Sequence, residues 1–221
     1  MNKSFVLLLS LLLALLTAAF TATAAVSAAP AEGTDYVVID NGQPYTPLAG
    51  KIEVVEVFGY WCSHCAEFQP TLSAWQRKLP ADVRFTYVPA VFTAGDAFAR
   101  AYFAAEHFRV LGKTHDAMFP AIHVAGLLPQ NASVDEIAAY YGQHGLDATQ
   151  AAAYMQSPAV DAKLEHAHQF ALHSGVEGTP TLILNGRYRV TARTHEDGLR
   201  IASQLIAQLR AAAHRPPPAV H

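Results

Sequence analysis

Trp61-Cys62-Ser63-His64-Cys65 is the stretch of this 221-residue chain whose residue types and spacing could do chemistry, and its two cysteines are the only two in the sequence. A disulfide between them would close almost no loop, so as a brace it would remove little entropy from the unfolded chain. As a reversible store of two electrons the same pair is well placed. A strand pattern ends at Phe58 and a helical pattern starts at Cys65. The pair therefore falls at a helix N-terminus, where backbone N–H groups lack partners and the macrodipole end is positive. A thiolate at Cys62 would be stabilised there, its pKa pulled below the free value of about 8.5. Cys65 lies one turn on along the same face, within reach for a disulfide. Cys62 is expected to attack and leave, with Cys65 as the resolving sulfur shielded by the helix. A Cys62 pKa of about 4 would favour the reduced form at pH 7 by roughly 4 kcal/mol. For a two-electron couple that is on the order of 90 mV toward oxidising power.

His64, between the two sulfurs, could donate from its imidazole to the Cys62 thiolate and favour the reduced form. The plain alternative is a solvated loop histidine, one of 11 in the chain. Phe58, Tyr60 and Trp61 cluster at the mouth of the site, suggesting a greasy surface for unfolded substrates; of these Phe58 reads as core and Trp61 as surface. A metal role is not expected. Zinc would need two more ligands, and the nearest histidine cluster, His166, His168 and His173, lacks the four-residue spacing a helical ligand pair prefers.

The elements that must hold this stretch can be read from periodicity. Tyr36 to Ile39 is a short strand candidate, followed by an Asp40-Asn41-Gly42 turn. Ile52 to Phe58 is rich in β-branched residues and reads as a strand buried on both faces. Phe68, Leu72, Trp75 and Leu79 then mark one face of a helix, with Pro70 expected to kink it. Val83 to Val91 is the next strand, ended or disturbed by Pro89. Strand, helix, strand with a buried first strand starts a parallel α/β sheet. From about Ala94 to Ser174 the pattern turns helical, punctuated by Gly112, Gly126 with Pro129, Gly142 with Gly145, and Ser157-Pro158; Ser133 to Glu136 has capping-box form. Thr181 to Leu184, Asn185-Gly186 and Arg187 to Val190 carry the strongest short hairpin signal. Leu199 to Leu209 reads as a closing amphipathic helix, and Ala211 to His221, with three consecutive prolines, as a disordered tail.

Residues 1–28 read as an export signal: Lys3 is the lone charge, and Phe5 to Leu16 is apolar but for Ser10. An apolar core of about 12 residues is short against the roughly 20 that span a bilayer, so cleavage is expected rather than a retained anchor. Val26-Ser27-Ala28 or Ala22-Thr23-Ala24 would suit the peptidase. That address places the cysteines outside the reducing cytosol, in the periplasm of a bacterial source. With 15 basic and 18 acidic side chains, a formal charge of −3, and 52% hydrophobic residues, the chain is a globular one lacking the electrostatic footprint for nucleic acid.

Cys-x-His-Cys at a strand-to-helix junction, a distant Gly178-Thr179-Pro180 leading into a hairpin, and a helical stretch between them resemble the DsbA-type thiol-disulfide oxidoreductases of the thioredoxin superfamily. The resemblance runs from about Tyr36 to Leu209. It implies an α/β thioredoxin fold with a large α-helical insertion between the βαβ half and the C-terminal hairpin and helix. The expected divisions are a signal peptide at 1–28, a thioredoxin-like N-terminal half at 29–93, the insertion at 94–174, a C-terminal half at 175–210 and a tail at 211–221. The resemblance further implies Cys62 as nucleophile and Cys65 as resolver. Pro180 would be a cis-proline facing the disulfide, and Thr179 would offer backbone groups to an extended substrate. Glu56 matches the family's buried acid, where desolvation would raise its pKa and let it relay a proton to or from Cys65; the alternative is an edge charge opposite Glu53. Two departures stand out. Ser63 occupies a position that is proline in the best-known members and bears on the potential, and Gln69 replaces an acid four beyond the second cysteine, weakening the charge network.

The activity expected from this is disulfide donation to newly exported proteins with free thiols. The chain would act as a monomer with no cofactor beyond the Cys62–Cys65 disulfide, reoxidised by a quinone-linked membrane partner of DsbB type. One alternative is an isomerase or reductant. An isomerase of the DsbC kind would carry a dimerisation domain ahead of the first strand, where only about ten residues follow Ala28, and a cytochrome-maturation reductant would usually lack so large an insertion. The other is a non-catalytic holdase that binds unfolded chains with the helical region.

Overall fold

A computed structural model of the chain describes residues 28–93 and 95–213. The expected leader, but for Ala28, and the tail beyond 213 lie outside these residues. Among them the order is β1 (Tyr36–Val38), β2 (Ile52–Phe58), α1 (Ser63–Gln76), β3 (Val83–Pro89), α2 (Ala97–His107), α3 (Leu111–His123), α4 (Val134–Gly142), α5 (Ala148–Met155), α6 (Pro158–His173), β4 (Thr181–Leu184), β5 (Tyr188–Val190) and α7 (His195–Ala213). The strands form one mixed five-stranded sheet in the order β1-β5-β4-β2-β3. β2 pairs parallel with β3 and antiparallel with β4, so the strand that leads into the cysteines has hydrogen-bonded neighbours on both edges.

All seven residues of β2 are buried. Its alternation splits them between two cores. Val55 and Val57 face a cluster built largely from α2–α6, whereas Ile52 and Val54 join Phe68 and Leu72 of α1 with Leu199, Ile201 and Leu205 of α7. Period-two geometry puts Glu56 on the side of Ile52 and Val54, beneath α1. Glu53, also fully buried, accepts from Tyr45 N, Thr46 N and Arg84 Nη2, so its charge is paired rather than stranded at an edge.

Local signals set most boundaries. The turn between β4 and β5 has Asn185 at φ 52° and Gly186 at φ 63°, the doubly positive pattern that matches strand twist. Ser133 and Glu136 form the expected reciprocal cap on α4. Three expectations need correction. Gly112 does not break a helix but sits in the first turn of α3; the break is at Arg109 (φ 59°), where Val110 N reaches back to Ala105 O in a left-handed helix end. The last helix is longer at both ends than Leu199 to Leu209; its start is set by Thr194, which accepts from the Asp197 N–H. Ala211 to Ala213, assigned to the tail, complete that helix.

Gly186 offers a test of this packing. A Cβ there would lie 1.8 Å from the Gln43 carbonyl oxygen, whereas one on Gly145 (φ 88°) would meet nothing within 4 Å. Gly186→Ala is expected to lower the unfolding free energy by about 2 kcal/mol or more, and Gly145→Ala by only about 1 kcal/mol. Urea unfolding of both variants measures the difference.

Candidate active site

The site begins where β2 runs out. Cys62 N donates to Gly59 O (3.1 Å), closing a four-residue turn with Tyr60 and Trp61 at its centre. Glycine at 59 leaves room for the Trp61 ring, since a Cβ would come within 2.7 Å of it and force the indole to shift. The turn delivers Cys62 as the N-cap of α1 with φ −81° and ψ 118°, and its side chain accepts from Cys65 N at 3.4 Å. A sulfur thus occupies the place where a serine or aspartate oxygen normally satisfies orphan N–H donors. Cys62 is 8% exposed and Cys65 fully buried. The Cys62 Sγ also lies 3.3 Å from Thr179 O, which accepts the thiol proton when there is one. The Thr179–Pro180 peptide is cis.

These contacts split the two thiols. The Cys62 pKa is lowered to about 5, first by the hydrogen bond from the Cys65 side chain. Burial pushes the other way, and the Thr179 side chain and the backbone N–H groups of Cys65 and His64 lower it further. The Cys65 thiol is raised far above its ordinary range by donating to Cys62, by burial and by the charge of Glu56, against a hydrogen bond from the Gly59 backbone. At neutral pH the reduced pair is one thiolate and one thiol, the proton on the inner sulfur. Glu56 is pushed well above the usual carboxylate range, first by burial and then by the Cys62 charge, and its Oε2 has no partner among the described residues.

The remaining expected residues fall as follows. Ser63 is exposed in the first turn of α1. The His64 ring faces solvent and Glu67 (3.5 Å); what His64 offers the Cys62 sulfur is its backbone N–H, not the imidazole. Trp61 is half-buried, its indole N–H donating to Asp96 Oδ2 (3.0 Å) and its ring 5.8 Å from the largely exposed Phe92. Phe58 is in the core. Tyr60 is not at the mouth: the turn directs it inward, where it is 1% exposed and shares a proton with His115 Nδ1 (2.8 Å) among the rings of Phe58, Phe98 and Phe119. His166 and His168 bond the carbonyls of Tyr45 and Val91. Among the described residues no group of His, Cys, Asp and Glu stands in an arrangement that would hold a metal.

Sequence reading missed the acid beside Gln69. The Gln69 amide nitrogen donates to Asp116 Oδ1 (2.8 Å) and to the hydroxyl of Tyr87 (3.0 Å). A carboxylate therefore does reach this position, supplied by α3 rather than by α1 itself. His115, His123, Gln130 and Asp96 were missed as well. They lie 35 to 69 residues from the partners they hold, and no local pattern marks them.

Known proteins resemble this chain over most of its length. A family model described as DSBA-like thioredoxin domain matches residues 53–202. The thiol:disulfide interchange protein DsbA of Pseudomonas aeruginosa is 35% identical over 187 residues, covering 83% of this chain and 87% of that protein. The protein of the same name from Azotobacter vinelandii is 36% identical over 197 residues, covering 85% and 90%. The crystal structure of oxidoreductase DsbA from Xylella fastidiosa superposes with a TM-score of 0.81 at 47% identity, covering 83% of this chain and all of that one.

The split of the thiols carries its own check. Thiolate absorbance at 240 nm in the reduced protein should titrate with a midpoint near 5, the thiolate being lost as pH falls through that value. Because the Cys65 side chain is the largest of the lowering contacts, Cys65→Ala should raise the midpoint by about one unit or more.

Proposed function

The chain belongs to the DsbA-like thioredoxin domain family and is a thiol-disulfide oxidoreductase; from that premise we propose that it donates the Cys62–Cys65 disulfide to exported proteins. In this reading a substrate thiolate attacks Cys62 Sγ, the bond to Cys65 breaks, and Cys65 departs as a thiol after taking a proton relayed by Glu56. The resulting mixed disulfide joins substrate to Cys62. A second substrate thiolate attacks the substrate sulfur, and Cys62 leaves as a thiolate. Two electrons pass to the enzyme, and the substrate gains one disulfide. Thr179, with its carbonyl at the Cys62 sulfur, and the cis-Pro180 beside it are suited to hold an extended peptide there, with Trp61 and Phe92 as an apolar lip.

The observation that carries this direction of electron flow is the low pKa of Cys62. At pH 7 a value of about 5 favours the thiolate, and so the reduced enzyme, by about 3 kcal/mol. That corresponds to about 60 mV toward oxidising power. The supporting contacts are the Cys65 thiol, the Thr179 side chain and the backbone N–H groups of Cys65 and His64, none of which comes from the side chain at 63. Ser63 in place of proline is therefore compatible with an oxidant. In this reading the leader at residues 1–28 directs the protein to the periplasm, where it acts as a monomer and a quinone-linked membrane partner of DsbB type reoxidises it.

The equilibrium reduction potential of residues 29–221 against glutathione tests the proposal. A potential above about −200 mV is the expected result. A value near −270 mV, the thioredoxin range, would overturn it in favour of a reductant. The double Cys→Ala variant addresses the holdase: oxidation of a reduced peptide should vanish.

A further inference from the structure

Four polar groups of the two residues ahead of Cys62 are held by partners outside their own turn. The Tyr60 carbonyl accepts from His123 Nε2 (2.7 Å) and the Trp61 carbonyl from Gln130 Nε2 (3.3 Å). The Tyr60 hydroxyl meets His115 Nδ1 (2.8 Å), and the Trp61 indole donates to Asp96 Oδ2 (3.0 Å). All four partners come from the segment between β3 and β4. Asp96 is itself anchored, its Oδ1 capping α2 through the N–H groups of Phe98 and Ala99 at 3.0 Å.

Of the four, the His123 contact has the most specific mechanical consequence. The carbonyl it holds belongs to the central peptide of the Gly59–Cys62 turn, the unit whose rotation interconverts β-turn types. A carbonyl can only accept, so Nε2 carries the proton, and this short bond fixes which way that peptide faces. The peptide's orientation sets the direction in which the chain enters α1, and hence whether Cys62 presents its sulfur to the N–H groups of the first turn. Only one other residue separates it from Cys62, so little backbone can absorb a change.

We propose that His123 is a positioning residue for disulfide exchange: its Nε2–H holds the Tyr60 carbonyl so that the turn presents Cys62 as the cap of α1. This rests on the reading of Cys62 as the nucleophile. The helical segment then acts on the reacting sulfur through the backbone that precedes it, and a substrate-facing role for that segment is not required for it to matter in the chemistry. His123 is half-buried at the rim of a groove of about 510 Å³ with Ala66, Phe119 and Pro120, so its ring can be replaced without opening the deeper core.

The test compares His123→Phe, which keeps a ring but no donor, with His123→Gln, whose amide can reach the same carbonyl. Three readouts apply to each: the 240 nm thiolate titration, the glutathione equilibrium and thermal unfolding. For His123→Phe the Cys62 acid constant should fall by about threefold or more, and the potential should move toward the reducing side. His123→Gln should restore both, with the two variants melting within a few degrees of each other. A wild-type midpoint and potential in His123→Phe would overturn the proposal, as would equal shifts in both variants, which would mean that the ring acts through packing alone. A wild-type protein titrating in the ordinary thiol range would instead overturn the reading of Cys62 beneath it.

Discussion

The first turn of α1 has backbone N–H groups that no helical carbonyl can reach, and a sulfur answers them. Cys62 stands where an N-capping side chain would, accepting from Cys65 N while the Cys65 thiol and the His64 N–H converge on the same atom. Most of the architecture serves to keep that arrangement in place. β2 has to end at one point and in one direction, and its pairing on both edges and burial on both faces allow little slippage. β4 is paired to β2 in antiparallel register, which brings Thr179 and the cis-Pro180 to the same end of the sheet as the cysteines.

The electrostatics beneath the helix work by opposition. Glu56 is buried with one oxygen unpartnered, a costly state that raises its pKa and places negative charge near both sulfurs when ionised. Ionised Cys62 and ionised Glu56 disfavour one another, so a proton taken up by one favours its release by the other. Glu53, only three residues away, is saturated instead, with three hydrogen bonds to the 45–46 backbone and hydroxyl and an ion pair with Arg84. Two buried glutamates on one strand thus differ in one respect: the first is saturated with hydrogen bonds, and the second keeps an oxygen without a partner among the described residues.

The segment α2–α6 contributes more than a cover. Asp96, His115, His123 and Gln130 hold Tyr60 and Trp61, and Asp116 reaches Gln69 across to α1. The loss of an acid at position 69 is thereby answered from another helix. The same contacts explain why Tyr60 and Trp61, adjacent in the chain, have different fates: the turn sends one ring into the core against His115 and leaves the other half-exposed beside Phe92.

What the sequence by itself determined were features governed by near neighbours. The buried strand, the start of α1 at the cysteine pair, the Ser133–Glu136 cap and the Asn185-Gly186 turn each follow from residues within a few positions of one another, because periodicity, capping and turn preference act over that range. The placement of Cys62 and Cys65 at a helix start was legible for the same reason, since a helix N-terminus is a local object. Tertiary structure alone decided which way Tyr60 points and that Asp96, Asp116, His123 and Gln130 reach the segment around the cysteines. Those outcomes depend on side chains brought together from 35 to 69 residues apart, or on which face of a turn meets the core. Burial and hydrogen-bond satisfaction of that kind are settled only when the whole chain has packed.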